Sequence, residues 1–440
     1  MATARQGTVQ YAHLPRVAAG FAPRRVFTVA DIVFAFDPAI DRPLALPSSV
    51  GGTVAECVGR AVADSFAEAV AVARRGKASI LVICGRWLDP IRASPAQAAA
   101  IRTAVLESAM AGCKTVFMAP DAAACHELSR MLGEPQGLFF ATPSAALNLE
   151  VHGISVELVA AGAEVVVPVL PTLDDAAPAA RRRIVIGWDP ATHFSGEDDD
   201  WLGDQDPAAR FVSAAASSPA WTQPGSFWIW ASRRRPALPP GIHHLPPLQP
   251  RSPHEQTSGS CCTLTLIDRE ASHDATPLLG DWRASWRDLP TQRVGWRTVR
   301  IESPSGGAEE LATALWSTIE QVAPGEQAAL ELVRCIVECG ASVGRRVHVA
   351  EVAGETLARL QGLFDPKSFR AWCTQLVADP GESLAPLGHA RSGGRPGTTT
   401  SFTSALADIV QVIEKTPSSP IRPAAAREAG WVALELIEST

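Results

Sequence analysis

Apolar positions in the first third of the chain alternate between short continuous runs and stretches of helical spacing. Val26 to Phe34 (VFTVADIVF) reads as a buried strand, closed by a Pro/Gly-rich loop from Asp37 to Gly52. Val, Ala and Phe then recur at helical spacing from Thr53 to Arg75, Lys77 to Cys84 (KASILVIC) is β-rich, Ser94 to Gly112 is helical, and Thr115 to Ala119 (TVFMA) is a third strand. Strands alternating with helices in this way build parallel βαβ units, whose functional loops gather beyond the carboxyl ends of the strands. Candidate chemistry is therefore sought at those ends.

From Leu138 the pattern shifts to short β-like runs: GLFFA, ISVELVA, AEVVVPVL, RRIVIGW, SFWIWAS and CCTLTLID. The acidic segment His193 to Asp206 and the proline-rich segment Pro236 to Pro253 read as surface excursions between them. Further on, the pattern predicts a strand over Gln292 to Ile301, helices over Gly307 to Val322 and Gly325 to Glu338, and a strand over Arg345 to Val352. The tail predicts helix over Gly354 to Val377, Phe402 to Lys415 and Pro423 to Ile437.

Length and composition narrow the class. A chain of 440 residues exceeds one ordinary core and predicts two or three domains. A net charge of −7 excludes a uniformly basic nucleic-acid protein and leaves room only for a local basic patch. The nine cysteines lack zinc-ribbon spacing, which suits a reduced cytoplasm; Cys335 and Cys339, four apart, are expected on one face of a helix as core residues. No run reaches the roughly 18 apolar residues of a membrane span, so a soluble, cytoplasmic protein without a membrane partner is expected.

The strand ends carry a damaged constellation. VFTVADIVF keeps Asp31 but has Val33 two positions on; SILVICGRWLD keeps Gly85 but follows it with Arg86; TVFMAPDAAA ends in Asp121 to Ala124. RRIVIGWDPA has Gly187 and Trp188, and SFWIWASRRRP has Ser232 and Arg234. The downstream segment PLQPRSPHEQTSGSCCTLTLID keeps Arg251 and Glu255. In order and spacing these motifs resemble the SbcD/YhaO-like branch of the calcineurin-like metallophosphoesterases, relatives of the meiotic recombination 11 nuclease.

In that family the corresponding strands end in D-x-H, G-D, G-N-H-D/E, His and G-H-x-H, which hold two metals about 4 Å apart to activate water. The resemblance implies an α/β fold: a four-layer α-β-β-α metallophosphoesterase-like sandwich (24–290) behind a flexible leader (1–23). A smaller capping α/β domain (291–352) and a helical partner-docking region (353–440) are expected to follow. It also implies that Asp31, Val33, Arg86, Asp121, Trp188, Ser232 and Arg234 occupy degenerate ligand positions, so no catalytic residue, metal or cofactor is expected. A divalent pair needs several carboxylates and imidazoles, and a permanent guanidinium at the bridging position repels it.

Three functions follow as expectations. The first is a catalytically degenerate subunit of the DNA exonuclease family, docked on an SMC-like coiled-coil ATPase in DNA repair or defence, with homodimerisation also implied by the resemblance. The second is an active Mn²⁺- or Mg²⁺-dependent nuclease or phosphoesterase with ligands rearranged from Asp31, Asp121, His126, Asp189 and His193. The third is a non-catalytic nucleic-acid-binding module in which Arg86, Arg233, Arg234, Arg235 and Arg251 take the phosphate backbone. Against the third stands a plainer reading, in which Arg86 pairs with Asp31 and the arginine run is solvated. Asp121 is also expected as a helix N-cap, His243 and His244 on opposite faces of one segment, Trp228 and Trp230 on one packed face, and His193 with Glu197 to Asp200 in a hydrated loop.

Overall fold

The computed structural model describes residues 27–44, 52–161, 181–189, 207–218, 221, 225–252, 255, 257–269, 283–303, 306–321, 328–339, 343–364 and 371–379. The leader, the run AEVVVPVL, the acidic segment with His193 and Glu197 to Asp200, and the tail helices expected after residue 379 lie outside the described residues.

β1 (Phe27–Phe36) is followed by α1 (Gly52–Arg75), β2 (Ile80–Cys84), α2 (Pro95–Met110), β3 (Lys114–Met118), α3 (Ala122–Leu132) and β4 (Leu138–Ala141). These strands pair in parallel as β1-β2-β3-β4. β10 (Ser260–Arg269) and β11 (Arg283–Pro290) extend the sheet antiparallel beyond β1, giving the order β11-β10-β1-β2-β3-β4. A five-stranded sheet has the order β5 (Leu147–Val151), β6 (Ile154–Ala160), β7 (Arg181–Trp188), β8 (Ser226–Ala231) and β9 (Ile242–Leu245). The protein is thus a mixed α/β fold.

Side-chain alternation explains why the two sheets meet. Ala30, Ile32, Phe34 and Phe36 of β1 share one apolar core with Val156 and Leu158 of β6, Ile184 and Ile186 of β7 and Ile229 of β8. The intervening Val33 and Ala35 face the other way, against Phe66, Ala69 and Val70 of α1 and Ile101 and Val105 of α2. On the outer face of the five-stranded sheet, Trp228 and Trp230 lie side by side against Phe211 of α4 (Pro207–Ser217), as their spacing predicts. Gly187 permits this approach: a Cβ there would stand 2.6 Å from the Phe211 ring.

The C-terminal sheet corrects the sequence reading. β12 (Val294–Glu302), β13 (Leu330–Glu338) and β14 (Ala371–Asp379) are parallel, with α5 (Ala308–Gln321) and α6 (Val343–Leu363) between them. The segment expected as a helix to Glu338 is the central strand β13, so Cys335 lies on a strand, its Sγ 3.3 Å from Cys373 Sγ of β14. The strand expected from Arg345 is part of α6, and the helix expected to Val377 gives way to β14. The expected division at 352/353 consequently falls inside α6. The proline-rich excursion contains β9 and buries Ile242, Leu245 and Leu248.

α1 serves both parts of the molecule. Val54, Val58, Ala61 and Val62 in its first half pack on Val294, Leu330 and Leu332 of the three-stranded sheet, while Phe66, Ala69, Val70 and Ala73 cover the six-stranded one. Among the described residues, no helix is long and apolar enough to cross a membrane.

Candidate functional site: a buried guanidinium–carboxylate cluster

β1 runs to Phe36, so its carboxyl end is occupied by Asp37 rather than by Asp31. Asp31 and Val33 lie within the strand: the Asp31 carboxylate accepts a hydrogen bond from Thr265 Oγ1 of β10 at 2.6 Å, and Val33 is buried under the helices. The pairing of Arg86 with Asp31 is corrected accordingly, since Arg86 pairs with Asp37. The missed signal is the dipeptide Asp37-Pro38, which directly follows the last apolar residue of the run.

The turn after β1 is held in an unusual shape. Asp37 and Ala39 have φ of 50° and 35°, a left-handed region that costs a non-glycine residue of order 1 kcal/mol or more. Backbone bonds fix it: Asp37 N donates to Cys84 O at 2.9 Å, Ala39 N to Arg86 O at 2.9 Å and Ile40 N to Trp87 O at 3.1 Å. Gly85, at φ 77°, lets the β2 end approach, because a Cβ there would meet the Phe36 ring at 2.7 Å. The strand ends of β1 and β2 are therefore locked side by side with Asp37 facing Arg86.

Two guanidinium groups saturate Asp37. Arg86 donates from Nε to Oδ1 at 3.0 Å and from Nη2 to Oδ2 at 3.2 Å. Arg233, just past β8, donates from Nε and Nη2 to Oδ2 at 2.9 and 2.6 Å. The Asp37 side chain is 0% exposed. Removal of Asp37 would take the shared counter-charge from two largely buried guanidinium groups.

A third arginine and a second carboxylate complete the cluster. Arg251 donates through Nη1 to Arg42 O at 2.5 Å and through Nη2 to Ala39 O at 3.0 Å, bracing the left-handed turn. Glu255 accepts from Arg251 N at 3.0 Å and lies 3.6 Å from Arg233 Nη1. Burial pushes the Glu255 carboxyl up to about 7, against the opposing pull of Arg233 and the Arg251 amide. For Arg233, burial acts to lower the pKa, but Asp37 and Glu255 carry it above the ordinary value. For Arg251 burial prevails and lowers it. Three guanidinium groups face two carboxylates, which leaves the cluster with a small positive excess.

The remaining sequence candidates take other roles. Asp121 caps α3, its Oδ1 accepting from Ala124 N at 2.8 Å, while His126 is exposed on the same helix. Trp188 is 0% exposed in the inter-sheet core. Asp189 follows β7, where its amide donates to Ala231 O at 3.0 Å. Arg234 and Arg235 are exposed beside the cluster. His243 stacks on Phe227 at 4.3 Å, whereas His244 Nε2 lies 3.2 Å from Ser232 Oγ and 3.1 Å from Ser232 O. Ser232 Oγ already donates to Arg234 O at 2.6 Å, so its proton is not offered to His244 and the two do not form a nucleophile–base pair.

The two-metal centre implied by the resemblance does not fit these residues. Asp37, the carboxylate at the end of β1, has both oxygens engaged by cations, and Arg86, at the position where the resemblance implies a bridging carboxylate, is a permanent cation. At the positions where the resemblance implies imidazoles the chain has Ser232 and Arg234, which offer no such ligand, and at Gly187 a side chain has no room against Phe211. Among the described residues there is no group of three or more His, Cys, Asp or Glu side chains placed to hold a metal ion.

No family model matches the chain, and no curated protein matches it. Among solved structures, TT1561 of Thermus thermophilus is similar over 50% of this chain and 91% of its own, with 12% sequence identity and a TM-score of 0.27. A superposition this loose assigns neither a function nor a family.

Proposed function

We propose that this protein is a catalytically degenerate member of the SbcD/YhaO-like metallophosphoesterases, working as a structural or DNA-contacting subunit of an SMC-like coiled-coil ATPase assembly. In this reading the two facing sheets, with α1 to α3 outside one and α4 outside the other, are the layers of a four-layer α-β-β-α sandwich. The sheet β12-β13-β14 and its helices form the cap. The carrying observation is the double engagement of Asp37 by Arg86 and Arg233 at the strand ends where the family holds its metals. A cleft filled by a hydrogen-bonded ion network retains the scaffold of a phosphoesterase while withdrawing the lone pairs that metals need.

The motifs that resemble the family motivate the ATPase partner, and the exposed Arg234 and Arg235 beside the cleft favour contact with a phosphate backbone. The test is co-purification of the full chain with a coiled-coil ATPase encoded beside it, followed by a manganese-dependent nuclease assay on the complex. A stable complex that shows no manganese-dependent cleavage beyond that of the ATPase alone supports the proposal. Manganese-dependent cleavage that appears only when this chain is present refutes it.

A further inference from the structure

Beside β9 and β11, which are edge strands of their respective sheets among the described residues, lies a polar cavity of about 540 Å³. Its volume is in the range of small-molecule sites, roughly 300 to 1,000 Å³. A second cavity, beside Arg86, is only about 180 Å³; Asp41, Arg42 and Asp89 in its wall pair with one another and Arg86 with Asp37, which leaves the exposed Glu127 as its one charge without an ion pair among the described residues. The larger cavity differs in presenting charges of both signs that no ion pair among the described residues consumes.

Asp288 of β11 and Arg235, after β8, both face this cavity, and neither has an ion-pair partner among the described residues. Asp288 uses one oxygen, Oδ1, to accept from Cys262 Sγ at 3.1 Å, which leaves Oδ2 for a further donor. His244 lines the same cavity, and Arg235 and Asp288 act on it in opposite directions; burial keeps its imidazole below the ordinary pKa, which favours the neutral form. Trp286 supplies an aromatic wall two residues before Asp288, on the same face of β11. Its ring is fixed by Phe34 at 5.6 Å, Phe227 at 5.7 Å and His243 at 5.2 Å, so the wall is preorganised.

One carboxylate, one guanidinium, neutral imidazoles and an indole face complement a ligand with one cation and one anion. We propose that this cavity binds a small zwitterion of the α-amino-acid class, its ammonium on Asp288 and Trp286 and its carboxylate on Arg235. The ammonium gains a charge-assisted hydrogen bond and a cation–π contact, and the carboxylate gains a guanidinium fork. A mononucleotide is disfavoured inside the cavity, because Asp288 in its wall repels the phosphate charge. The proposal does not depend on the loss of the metal site.

Isothermal titration of the full chain with each standard L-amino acid tests it, with acetate, ethylamine and adenosine monophosphate as separate probes. At least one amino acid should bind, and its decarboxylated and deaminated analogues should each bind about tenfold more weakly or less. Arg235→Ala, at an exposed position where folding is not at stake, and Asp288→Asn should each weaken binding by about tenfold. Absence of binding by every amino acid, binding indifferent to both substitutions, or binding of adenosine monophosphate alone would overturn the proposal.

Discussion

Arg86 Nε lies 3.0 Å from Asp37 Oδ1 across the carboxyl ends of two adjacent parallel strands, joining the first two strand ends of the sheet by an ion pair. Arg233 reaches the same carboxylate from the opposing sheet. The cluster therefore ties together the two sheets at the edge of their shared core, and its contribution to stability is open to direct test.

Asp37→Ala should destabilise the fold by about 3–5 kcal/mol, because it leaves Arg86 and Arg233 without their shared counter-charge in a dry site. Asp31→Ala, which removes one hydrogen bond from Thr265, should cost only about 1 kcal/mol. Urea denaturation of both variants separates the roles. Equal losses would contradict the assignment of the structural charge to Asp37.

Gly85→Ala should be destabilising by about 2 kcal/mol or more, since the new Cβ meets Phe36 Cε2 at 2.7 Å and φ is 77°. Thermal unfolding measures the loss. Gly187→Ala should cost about 1–3 kcal/mol through overpacking against Phe211 and Trp230, which would stand 2.6 and 2.9 Å away.

Glu255 makes stability depend on pH. Its folded pKa of about 7 lies above the ordinary value of 4.5, so between these values the folded state binds more protons than the unfolded state. Stability should therefore fall as pH rises from about 4.5 to about 7 and level off above, by an amount of order 1–3 kcal/mol. Glu255→Gln should flatten this segment of the curve, measured by urea unfolding at successive pH values. A difference between wild type and variant that grows as the pH falls below about 4.5 would contradict the sign.

The parallel core was legible because its strands and helices differ in period. β2 and β3 are short apolar runs, while α1 presents Val58, Val62, Phe66, Ala69 and Ala73 on one stripe. β13 was misread because both of its faces are buried, Val333 and Cys335 under α5 and α6 and Leu330 and Leu332 against α1. Such a strand shows no alternation and reads as a helix. In α6 the alternating Val347 and Val349 imitate a strand, although Val349, Thr356 and Leu360 are the buried positions and fall at helical spacing.

The site was legible in part for a similar reason. Arg86 and Arg233 are visible as cations at strand ends, and Arg251 and Glu255 as residues of the downstream segment. The counter-ion Asp37 is hard to distinguish in the sequence from Asp31, an acidic residue inside the same apolar run. Only the true end of β1 distinguishes a carboxylate that faces a cluster from one that bonds a neighbouring strand. The cavity between β9 and β11 depends on sheet edges brought together from distant segments, which no local pattern carries.

Equilibrium dialysis of the full chain against Mn²⁺, with metal quantified by elemental analysis, tests the central claim most directly. A cleft whose carboxylate is already held by Arg86 and Arg233 should bind no manganese above a metal-free control protein, and Asp37→Ala should not change that result. Two manganese ions per chain, lost on substitution of Asp37, would contradict the account.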